Sequence, residues 1–86
     1  MVTIFRCKCG GTLTILYFKD RMNAIDHFCK VAKSYGYEVK PQTRTKIENK
    51  NPYETITLYG NTESGTHYRL EIESRNFYED VTERNY

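Results

Sequence analysis

The feature that most constrains this chain is a change of period. Between Asp20 and Tyr35 the apolar residues recur at the spacing of a helix face, and from Tyr37 to Arg75 the pattern turns to alternation. A helical period makes a poor strand and strict alternation a poor helix, so a layered α+β fold follows. With 86 residues the chain forms one domain with a small core, and most of its apolar side chains must serve that core.

Asp20 reads as the N-cap and Gly36 as the C′ residue of a helix over 20–35. Met22, Ala24, Ile25, Phe28, Cys29, Val31, Ala32 and Tyr35 share one half of its wheel. Asn23, Asp26, His27, Lys30, Lys33 and Ser34 share the other. Upstream, VTIFRCK (2–8) and TLTILYF (12–18) flank Cys9-Gly10-Gly11 and read as an N-terminal hairpin over 2–18.

Downstream, YEVKPQTRTKIE (37–48) reads as an extended segment with Lys40, Gln42, Arg44 and Lys46 of one parity. Pro41 donates nothing to a ladder, which places this strand at an edge or a bulge. ETITLY (54–59) separates Ile56 and Leu58 from Thr55, Thr57 and Tyr59. THYRLEIESR (66–75) separates Tyr68, Leu70 and Ile72 from His67, Arg69, Glu71, Glu73 and Arg75. The expected order is ββ-α-βββ: a single helix covers one face of an antiparallel sheet, with a three-stranded meander over 37–75 and an open second face. In the tail, 76–86, Phe77, Tyr78 and Val81 suffice to tack a short helix or strand onto the body, with the last few residues frayed.

Charge is uneven. Residues 1–50 carry ten Lys/Arg against four Asp/Glu, a net of +6, and residues 51–86 carry three against seven, a net of −4. The two halves can therefore present faces of opposite sign. Three cysteines cannot all pair with one another, and with no leader segment visible the expectation is a reducing, cytoplasmic compartment. The longest apolar stretch, Leu13 to Phe18, is far too short to span a bilayer.

Cys7-Lys8-Cys9-Gly10-Gly11 resembles half of a zinc knuckle with one residue rather than two between the thiols. His27 and Cys29 would complete C-x-C…H-x-C, but on a helix they lie about 200° apart. The simpler reading makes Cys29 a core residue and His27 a solvated one, with zinc as the alternative.

No catalytic set emerges. Neither Cys7 nor Cys9 follows a strand-to-helix elbow, Glu71 and Glu73 sit between Arg69 and Arg75, and Gly10-Gly11 precedes a strand rather than a helix. The expectation is a non-enzymatic chain without a cofactor. Its candidate binding face comprises Lys40, Arg44, Lys46, Tyr59, Arg69 and Arg75, basic groups interleaved with tyrosine that suit phosphates and bases. Eight tyrosines in the chain suit a protein contact equally well.

Residues 20–75, a helix followed by YEVK, NPYETITLYG and a third strand, resemble the α-β-β-β portion of a double-stranded-RNA-binding domain. The resemblance implies RNA binding. The chain departs from that family in Ser74–Val81, which is acidic where such domains open a lysine-rich second helix, and in its N-terminal hairpin, so no membership follows. In size and uneven charge the chain is also similar to small phage-encoded inhibitors of bacterial defence, such as anti-CRISPR proteins, or of transcription. The leading expectation is a phage or mobile-element inhibitor or accessory factor that binds a host protein complex. Nucleic-acid binding is the alternative, and a small zinc-binding accessory domain the second.

Overall fold

A computed structural model of the chain describes residues 1–76. It comprises β1 (Val2–Cys9), β2 (Thr12–Phe18), α1 (Arg21–Ser34), α2 (Pro41–Asn49), β3 (Ile56–Asn61) and β4 (His67–Arg75). The strands form one antiparallel sheet in the order β2-β1-β4-β3, so the N-terminal hairpin and β4 are neighbours. The α+β class and the antiparallel sheet are as expected. The expectation for the tail beyond Asn76 lies outside the described residues.

Local chemistry sets the ends of the first three elements. Gly10 takes φ +59° in the two-residue loop between β1 and β2, a conformation that costs glycine little. Asp20 is extended and its carboxylate accepts from the Met22 amide at 2.9 Å, capping α1. Gly36 closes the helix at φ +95°, with its amide on the Lys33 carbonyl and the Tyr37 amide on that of Ala32, a Schellman pair.

The segment expected as a third strand is a second helix, which corrects both the single-helix order and the meander over 37–75. Pro41 occupies the first helical turn, where its missing N–H costs nothing, and Lys40 before it is extended. Arg44 and Glu48 pair at i,i+4, 2.9 Å apart. The α-β-β-β succession of a double-stranded-RNA-binding domain is therefore absent, because two helices precede two strands. Side chains of α1 pin α2. Arg21 donates to the Ile47 and Glu48 carbonyls at 2.9 and 3.1 Å, satisfying the free end of α2, while Arg44 pairs with Asp26.

The core lies between α1 and one sheet face. Ala24, Ile25, Phe28 and Ala32 pack with Phe5 and Cys7 of β1, Tyr68, Leu70 and Ile72 of β4, and Ile47 of α2. The alternation of β3 and β4 is as expected, with Ile56, Leu58, Leu70 and Ile72 on the covered side. Gly60 of β3 lies beneath the Tyr68 ring, whose hydroxyl would stand only 2.3 Å from an added Cβ. The Tyr68 ring in turn stacks on Tyr35 at 4.9 Å.

Candidate binding face

The outer face of the sheet is built from the residues of opposite parity, and its two ends differ. Cross-strand register aligns Leu13, Lys8, Arg69 and Tyr59 in one row. The next row aligns Ile15, Arg6, Glu71 and Thr57, and a third places Ile4 between Tyr17 and Glu73. In the third row and beyond, the face is closed: Ile4 and Val2 are buried against Ile15. Glu73 is only 6% exposed, bound by Arg6, by Arg75 at 2.8 Å and by the Thr55 hydroxyl at 3.2 Å. Burial pushes its carboxyl up, but the bond from Arg6 and the charges of Arg6 and Arg75 outweigh that and hold it below the ordinary value.

The opposite end is open. Lys8, His67 and Arg69 are exposed, and Tyr59 is 70% exposed. Lys8, Gly10, Tyr59, Gly65, Thr66, His67, Tyr68 and Arg69 line a groove of about 530 Å³. A second hollow of about 280 Å³ continues past Tyr59 along Gly60, Asn61 and His67. Among the described residues, Arg69 meets its nearest carboxylate, Glu71, only at 3.8 Å. Such a long exposed contact leaves its charge available to a partner.

Of the sequence candidates, Tyr59 and Arg69 come together here, directly opposite one another in register. Lys40, Arg44 and Lys46 do not, since Lys40 is the N-cap of α2 and the other two lie within that helix, whose Ile47 packs into the core on the covered side of the sheet. Arg44 is held by Glu48 first and Asp26 second, which raise its basicity further, and Arg75 is held by Glu73. Lys8 was missed. Its place beside Arg69 depends on β1 pairing with β4, a contact between distant parts of the chain.

The four zinc candidates do not form a ligand set. Among the described residues, no group of three or more His, Cys, Asp or Glu side chains is placed to hold a metal ion. Cys7 is buried with its thiol 3.3 Å from the Tyr35 hydroxyl, a contact that, with burial, raises the pKa of Tyr35. Burial likewise pushes the Cys29 thiol up despite the opposing charge of Arg44. His27, expected as a solvated residue, is half-buried. Its ring stands edge-on to Phe5 at 4.8 Å and lies 5.7 Å from Phe18, and burial, then the charge of Lys30, lowers its pKa. No helix among the described residues is long and apolar enough to cross a membrane.

Comparison of the chain with protein-family models, curated proteins and solved structures returns no match.

Proposed function

We propose that this chain is a non-enzymatic binding module that engages a protein partner through the open end of its outer sheet face. The observation that carries the reading is the convergence of Lys8, His67, Arg69 and the exposed Tyr59 around one groove. Tyrosine and arginine are the residues that most often dominate interface energetics, and a shallow groove gives them a pocket to fill. Glu71 in the next row and exposed Leu13 in the row of Lys8 make the surroundings acidic and apolar rather than uniformly basic. That mixture favours a protein surface with a carboxylate and an apolar patch over a phosphate backbone. The concrete form we favour is an inhibitor or accessory factor of a phage or mobile element, acting in a host cytoplasm on a host protein complex. Capture from bacterial lysate tests it. The reading expects a stoichiometric protein retained by the wild-type chain and by Lys46→Glu, and lost with Tyr59→Ala/Arg69→Glu. Retention by the double variant, or turnover of a small substrate by the purified chain, would end it.

The three basic side chains around one tyrosine also support a second reading, nucleic-acid binding at the same groove. It predicts a log–log salt slope of roughly −2 to −3, one unit per phosphate contacted. No binding of single-stranded or duplex oligonucleotides at about 50 mM salt removes this reading.

A further inference from the structure

We propose that the chain pairs with a second copy of itself along the outer edge of β2, extending the two four-stranded sheets into one. Among the described residues β2 is an edge strand, paired on one side only, with β1. An edge strand presents a row of outward amide and carbonyl groups, and proteins that stay monomeric blunt it with lysine, proline, a bulge or shortness. β2 has none of these devices. Thr12–Phe18 contains no charged residue, no proline and no glycine, and its register with β1 is unbroken over all seven residues. The other edge, β3, is six residues long and ends in Gly60-Asn61.

The occupant follows from the pattern of the strand itself. A two-fold axis through Ile15 sets Thr12 opposite Phe18, Leu13 opposite Tyr17 and Thr14 opposite Leu16, and pairs all seven residues. Directly opposed residues share a sheet face. Leu13, 59% exposed, and Tyr17, 38% exposed, thus cover each other on the outer face around Ile15, and Leu16, 37% exposed, is covered on the helical side. The same axis sets Lys19 and Asp20 opposite Gly11 and Gly10, so no like charges oppose one another. On the outer face this register sets only apolar residues against one another, Leu13 on Tyr17 and Ile15 on its own copy, a match that an arbitrary foreign strand has no reason to make.

Sedimentation equilibrium of the complete chain, from about 1 to several hundred µM, tests the pairing. The expected mass rises towards twice 10.2 kDa with concentration. Leu13→Glu/Tyr17→Glu sets acid opposite acid, and dimerisation should weaken by about tenfold or more. Leu13→Glu/Tyr17→Lys sets opposite charges across the axis and should regain most of that loss. A mass of 10.2 kDa throughout, or two variants that associate equally, overturns the proposal. Should either variant melt early, hydrogen exchange of the wild-type chain replaces the comparison. Protection in residues 12–18 must then rise with concentration, and protection independent of concentration overturns the pairing, even where a heterologous strand from another protein occupies the edge.

Discussion

At one end of the outer sheet face Glu73 is nearly enclosed and bound by Arg6, Arg75 and Thr55, while at the other Lys8, His67 and Arg69 stand in solvent beside Tyr59. Both ends are written in the same alternating code. What separates them is the supply of partners. Where cross-strand neighbours satisfy one another, charge serves the fold, and where the nearest counter-charge among the described residues is 3.8 Å away it is left to bind something else. A polar sheet face is thus not one surface but two, divided by which groups already have a partner.

The largest effect expected is at the closed end. Ile4→Ala should cost roughly 2–5 kcal/mol in urea unfolding, whereas Leu13→Ala on the same face should stay within about 0.5 kcal/mol. Equal costs would erase the distinction. Glu73→Gln comes next, because it leaves two guanidinium groups facing a neutral amide. Both arginines are partly exposed, so solvent moderates the loss to about 2–3 kcal/mol. Since the folded pKa of Glu73 lies below its ordinary 4.5, its contribution is present above that value and disappears as the pH falls through the lower one. The variant should therefore flatten the acid limb of a stability–pH curve.

His27→Ala should cost about 1–2 kcal/mol through loss of the edge-on contact with Phe5. Its folded pKa lies below 6.5, so the unfolded chain binds the proton more readily. Stability is full above about 6.5 and declines as the pH falls through the lowered value. A His27→Ala protein whose stability falls just as steeply over that range would place the titration elsewhere. Smallest of all in stability are Tyr59→Ala and Arg69→Glu, each within about 0.5 kcal/mol. A loss above about 2 kcal/mol at either position would mark the open end as structural too.

Much of this architecture was legible in local chemistry. Asp20 and Gly36 bracket α1 as caps should, and the alternation in 54–59 and 66–75 assigns each side chain of β3 and β4 to its face. The second helix was not legible, because α2 buries only Ile47 and so has almost no apolar period to read. Its charged residues share a parity that mimics a strand, and Pro41 suits a strand edge as well as a first helical turn. His27 was misplaced because β2 supplies Phe18, and β1 Phe5, to the side of α1 that a single apolar stripe leaves wet. Half of the binding face was visible in Tyr59 and Arg69. Lys8 was not, because no local pattern announces that β1 inserts beside β4.

Where a captured partner touches the chain tests the open sheet end most directly. Hydrogen exchange on the captured complex should show new protection in residues 57–61 and 67–69, with 40–50 on α2 unchanged. A footprint on α2 that leaves 57–61 and 67–69 unprotected would contradict the assignment of the open sheet end as the binding surface.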